Sequence, residues 1–278
     1  MIIETRGTND LSLLDLSIIE DEEINLADAA LAVGKYDYPK IDLELYRKHL
    51  LSIADDVSNE KSLSHGLDAR IERINKVLFK KYSYVGDSDT YDDPQNANLI
   101  RVIDRRKGLP ITLGILYIHA ARSQRWVAEG LSFPGHFLVR LDVQGKRKIV
   151  DPFNKGEIVN VTQMRSILKQ FLGNESELRP HHYSAISNRD ILLRSMNNVK
   201  TRAISDSDLS RATTLLERMT TLAPYAISLW KELGDLELDR GNLKNAIKAL
   251  AIFSKNCVCE NQKSEVEETI TRLNRELN

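Results

Sequence analysis

Residues 131–154 read LSFPGHFLVRLDVQGKRKIVDPFN, and their pattern sets the fold class. HFLVRLDV and KIVDPF are rich in β-branched and aromatic residues, and Gln144-Gly145 between them is the residue type that a tight hairpin turn requires. LSF just before them reads as a further strand. Upstream the texture is different. Ile111 to Ala121 is a strongly apolar segment opened by Pro110, which suits the first turn of a buried helix because the missing N–H has no partner there anyway. Leu11–Ile19, Ile24–Gly34, a stretch with Leu43, Tyr46, His49, Leu50 and Ile53 on one side, and Leu67–Tyr82 all carry helical spacing, and so does Val161–Leu172 up to Gly173. Helices followed by a small antiparallel sheet are the α+β pattern, expected over residues 1–180.

The remainder, 181–278, reads as all-α. Ala212 and Ala246 lie 34 residues apart, as do Leu216 and Leu250, and Met219 and Phe253. That is the tetratricopeptide period, and Trp230, Leu233, Gly234 and Gly241 fall at positions where paired helices of such a repeat meet. A plain pair of helical hairpins is the other reading of the same spacing.

Composition narrows the function classes. The 278 residues carry 39 Lys+Arg against 40 Asp+Glu, for a formal net charge of -1. This balance gives no support to nucleic-acid binding. No apolar run reaches the ~18 residues of a membrane span, the first residues lack the pattern of a secretory signal, and the two cysteines, Cys257 and Cys259, cannot staple a fold of this size. A cytoplasmic protein without membrane association is expected. The six histidines, His49, His65, His119, His136, His181 and His182, fall in no metal-binding spacing. There is no phosphate-cradling glycine loop, so neither metal nor cofactor is expected. Arg101, Arg105, Arg106 and Lys107 suit a salt-bridged helix end, and GDSDTYDDPQNAN (86–98) suits an ordered loop with capping Asp and Asn.

One constellation carries chemistry. His136 stands at the start of one expected strand and Asp151 at the end of the next, so a hairpin would set imidazole beside carboxylate. A His held by an Asp is the base half of a nucleophilic triad. A buried His and an Asp-Pro turn that merely ends the sheet fit the same residues.

The order YDDPQNANL (91–99), DRRKGLPITLGILYIHAAR (104–122), FPGHFLVRLD (133–142), IVDPFNKGE (149–157) and RSMNNVK (194–200) resembles the SirB-type bacterial proteins, in which a transglutaminase-like domain precedes tetratricopeptide repeats. The likeness extends from LADAALAVGKYDYP (26–39) onward. It implies a papain-like half-fold, with a nucleophilic Cys at the start of a central helix and the His and Asp on neighbouring strands. On that resemblance His136 matches the triad His and Asp151 the triad Asp. Gly108 matches the Gly ahead of the nucleophile, Arg122 matches an Arg about three turns along the helix, and Pro110 stands where the Cys is expected. Proline has no nucleophile, and Thr112 is the nearest hydroxyl. The resemblance therefore implies a non-catalytic protein that binds another protein or a peptide, with Trp230 and Arg122 as binding residues. A hydrolase or transferase using His136 and Asp151 with Thr112 or an activated water is the rival expectation.

Overall fold

The computed structural model describes residues 10–277, which form two compact units: 19–195 with 10–12, and 13–18 with 196–277. Among the described residues no helix is long and apolar enough to cross a membrane.

In the first unit α2 (Leu26–Lys35), α3 (Glu44–Asn59) and α4 (Gly66–Asn75) precede α5 (Leu99–Arg105) and α6 (Pro110–Arg122). The α1 segment, Leu13–Ile18, belongs to the second unit. Helix α6 is the centre of the first: all its residues except His119 and Arg122 are buried, which is why its sequence shows an unbroken apolar run rather than a one-sided stripe. Beside it lies a four-stranded antiparallel sheet in the order β3 (Val127–Gly130), β4 (Val139–Val143), β5 (Lys146–Asp151), β6 (Glu157–Val159). Ala128, Val139, Leu141 and Val150 are buried, and α6 packs on β3 and β4. Leu138 and Val159 join Met164 and Leu168 of α7 (Val161–Leu172) in a second apolar layer.

The hairpin between β4 and β5 turns at Gln144 and Gly145, both with positive φ (52° and 80°), and pairs Val143 with Lys146. Two strand expectations need correction. LSF is not a strand: β3 ends at Gly130, Leu131 makes a lone bridge to Ala185, and Ser132 N–H turns to the Ser184 carbonyl. His136 does not start β4, which begins at Val139. The helix expected over Leu67–Tyr82 also changes character, since α4 ends at Asn75 and Lys76–Lys81 form one turn of π-helix. There Tyr82 N–H reaches back five residues to the Val77 carbonyl at 2.9 Å. A separate pair of two-residue parallel strands, β1 (Val85–Gly86) and β2 (Lys107–Gly108), has no counterpart in the sequence reading, because two residues are too few to show a period.

The first unit runs to Ser195, beyond the boundary expected near residue 180. The reason is hydrogen bonding: Ile186 N–H donates to the Gly130 carbonyl and Arg194 donates to the carbonyls of Leu131, Phe133 and His136. These bonds tie 184–195 to the sheet.

From residue 188 on, the described chain is helical: α8 (Asn188–Ser205), α9 (Leu209–Leu222), α10 (Ile227–Asp239), α11 (Leu243–Asn256) and α12 (Glu260–Glu276). The residues spaced 34 apart are all buried: Ala212, Leu216 and Met219 on α9, and Ala246, Leu250 and Phe253 on α11. Gly234 permits the contact of α10 with α11, since a Cβ there would lie 2.6 Å from Leu250. Gly234→Leu is expected to destabilise the chain by about 1–3 kcal/mol through overpacking, read by urea unfolding. A loss below about 0.5 kcal/mol, the scale of an ordinary surface substitution, would count against this packing.

Candidate functional site

His136 sits in the turn that leads into β4, with its backbone carbonyl held by Arg194. This explains its displacement from the strand: the Phe133 and His136 carbonyls are satisfied by a guanidinium from α8 instead of by a ladder partner. Asp151 ends β5. The two side chains meet with Nε2 of His136 2.8 Å from Oδ2 of Asp151, and both are buried, at 9% and 2% exposure.

Asp151 is saturated with donors. Its Oδ1 accepts the N–H groups of Phe153 and Asn154, and its Oδ2 accepts the Asn154 amide at 2.7 Å besides His136. Burial opposes ionisation, but the hydrogen bond and charge of His136 and the donors of Asn154 outweigh it and hold the carboxyl below its ordinary range. An ionised carboxylate can only accept, so Nε2 of His136 carries the proton. Among the described residues the ring's one hydrogen bond is this one, so Nδ1 has no hydrogen-bond partner there. Phe153 packs edge-on to the imidazole with centroids 6.0 Å apart, and Tyr91 packs edge-on to Phe153 at 5.9 Å.

A chain of contacts leads from this pair to the start of α6. The Phe153 ring lies over Gly86, where a Cβ would fall 2.6 Å from it, and Gly86 pairs with Gly108, two residues ahead of Pro110. Pro110 occupies the first turn of the helix. Thr112 is fully buried, and its hydroxyl donates to the carbonyls of Asn96 (2.8 Å) and Leu109 (3.1 Å). It has no bond to His136. The loop before the helix is built to hold that geometry. Asn96 also receives Leu109 N–H on its carbonyl and Arg105 on its side chain, while buried Asp87 holds Thr90 and Arg105. Asp93 and Asn98 cap the short 3-10 turn Pro94–Ala97 and α5.

Arg122 lies at the far end of α6, about 18 Å along the axis from Pro110. There it donates to the Ala128 carbonyl and to Asn188, tying the helix end to β3. Trp230, in the second unit, lines a groove with Thr220 and Lys248 and donates its indole N–H to the Pro224 carbonyl. Among the described residues no group of three or more His, Cys, Asp or Glu could hold a metal ion. The sequence reading missed Asn154, Phe153 and Arg194 as parts of the site. All three stand in motifs quoted above, but nothing local to them shows that they converge.

The family model described as the transglutaminase-like superfamily matches residues 44–197, which contain the His136–Asp151 pair and the start of α6. The chain belongs to the transglutaminase-like superfamily. It is similar to a UPF0162 protein of Xylella fastidiosa (strain Temecula1), at 30% identity over 85% of this chain and 85% of that protein. It is also similar to one of Vibrio cholerae, at 29% identity over 76% of this chain and 78% of that protein. Mouse F-box only protein 21 is 29% identical over 109 residues, 36% of this chain and 17% of that protein. In transglutaminase-like terms, this chain holds a His–Asp pair beside a central helix that opens on proline.

Proposed function

We propose that this chain is a non-catalytic transglutaminase-like protein that works as an adaptor or regulator, binding another protein or a peptide in the bacterial cytoplasm without a cofactor. The observation that carries this reading is the residue at the start of α6: Pro110 stands where the SirB-type resemblance asks for a thiol. The one hydroxyl in the first turn, on Thr112, is already spent on two backbone carbonyls. Without a nucleophile there is no acyl-enzyme route. A His whose Nε2 is bound to Asp151 still has Nδ1 for a second hydrogen bond, which suits recognition as well as proton transfer. The 34-residue spacing, with α9, α10 and α11 around the Trp230 groove, supports tetratricopeptide-like units that would hold an extended or helical segment.

The intact His136–Asp151 pair also favours a second reading, a hydrolase or transferase that activates water or Thr112. The two separate by assay. On the adaptor reading, the full chain releases no ammonia from glutamine peptides. Turnover that survives replacement of both cysteines and disappears with His136→Ala would establish the enzyme instead. For the binding role, peptides selected by display against the full chain should weaken by about tenfold or more with Trp230→Ala, as expected when a central aromatic anchor is truncated.

A further inference from the structure

One opening in the first unit lies away from the His136–Asp151 pair. A cavity of about 690 Å³ lies between α4 with its π turn and the turn that joins β5 to β6, within the range of small-molecule sites. Its apolar lining is buried Ile71, half-buried Phe79 and exposed Ile158. Its rim is charged, and the charges do not cancel. Asp68 is ion-paired with Lys148 outside the cavity. Glu72 is taken up by Lys76 at 3.0 Å and by the hydroxyls of Ser62 and Ser64. Lys80 and Lys155 also line the cavity, and among the described residues neither has an ion-pair or hydrogen-bond partner.

The geometry points to a binding site for a small organic anion: a carboxylate or phosphate carried on a flat apolar body, with the body on Phe79, Ile71 and Ile158 and the anionic group between Lys80 and Lys155. The walls are preformed. Asn75, the last residue of α4, donates to the Gly156 carbonyl at 3.0 Å and accepts from the Tyr117 hydroxyl at 3.1 Å, so the π turn and the 152–156 turn are fixed to each other across one side chain. Turns of π-helix are rare and recur at functional sites. Here the wider turn is the segment that carries both Phe79 and Lys80. A site held open in this way loses little freedom when a ligand enters. This inference is independent of the adaptor reading, because it involves neither the Trp230 groove nor the His136 ring.

The test is titration calorimetry of the full chain with three probes: 2-naphthyl phosphate, inorganic phosphate and 2-naphthyl-trimethylammonium. Saturable 1:1 binding is expected for naphthyl phosphate, with binding of the other two at least about tenfold weaker, since one lacks the apolar body and the other the anionic charge. The double reversal Lys80→Glu/Lys155→Glu should cost about tenfold or more in affinity, and Ile158→Trp should cost a similar factor by filling the cavity. Lys169→Glu, an exposed lysine on α7, should leave binding unchanged. Far-ultraviolet circular dichroism confirms that each variant is folded. Failure of naphthyl phosphate to saturate by about 1 mM, equal binding of the cationic analogue, or affinity unmoved by the double reversal would each overturn the assignment.

Discussion

Asp151→Ala is expected to cost about 3–5 kcal/mol of unfolding free energy, the scale for removing one partner from a buried charged network. The carboxylate accepts four hydrogen bonds, from His136 Nε2, the N–H groups of Phe153 and Asn154, and the Asn154 amide. Alanine leaves all four donors facing a small gap. Asp151→Asn separates geometry from charge. Its oxygen can still receive the two backbone N–H groups, but its amide meets the protonated Nε2 of His136 and forces the imidazole to the other tautomer. A smaller loss, of about 1–2 kcal/mol, is expected for Asn. Urea unfolding in a Trp230→Phe background leaves Trp126 as the reporter of the first unit. If Asp151→Ala costs less than about 1 kcal/mol, the pair is not part of what holds β5 to the His136 turn. The acid limb should change too: Asp151 has a depressed folded-state pKa, so its contribution is present above the unfolded value and lost as pH falls through the folded one. That loss lies below about pH 4.

A second large effect lies at a higher pH. His49 is pushed down to about 4 by burial, by the charge of Arg106 and by His119. The hydrogen bonds agree: Arg106 Nη1 donates to His49 Nε2 at 2.6 Å, with the Tyr84 hydroxyl 2.8 Å from the same nitrogen. Since a guanidinium only donates, that nitrogen is an acceptor and the ring is neutral. Between the ordinary value of 6.5 and about 4 the unfolded chain binds more protons than the folded one, so stability is full above 6.5 and falls as pH drops. With solvent screening of the half-buried ring included, the expected loss is about 1–2 kcal/mol by pH 4.5, and His119, also lowered by burial, adds to it in the same direction. His49→Gln keeps an acceptor for Arg106 and cannot titrate. Its stability should be flatter between pH 6.5 and 4.5, and a slope equal to the parent's would refute the assignment.

Much of this fold was legible where the deciding contacts are close in the chain. The buried helix α6, the turn at Gln144-Gly145 and the capped loop before α5 each follow from a few adjacent residues. The approach of His136 to Asp151 follows from a two-residue hairpin between two short strands. The two-residue strands β1 and β2, the π turn at Lys76–Lys81 and the grip of Arg194 on three carbonyls were not legible. The strands and the Arg194 grip depend on partners far along the chain, which leave no periodic trace, and the π turn departs from the 3.6-residue period by which a helix is read. Lys80 and Lys155 show the same limit: each reads as an ordinary exposed lysine, and only the bond from Asn75 to Gly156 places them on one cavity.

The sequence by itself determined that no thiol stands at the start of α6, because the chemistry of a side chain is a covalent property that no fold can add to Pro110. It also determined which residues are apolar at helical or strand spacing, and so the α+β class. Tertiary structure alone decided that the Thr112 hydroxyl is committed to the carbonyls of Asn96 and Leu109, that Nε2 of His136 carries the proton, and that His49 is neutral. Those are states of hydrogen bonding and ionisation, and their free energies are set by neighbours that only folding brings within reach.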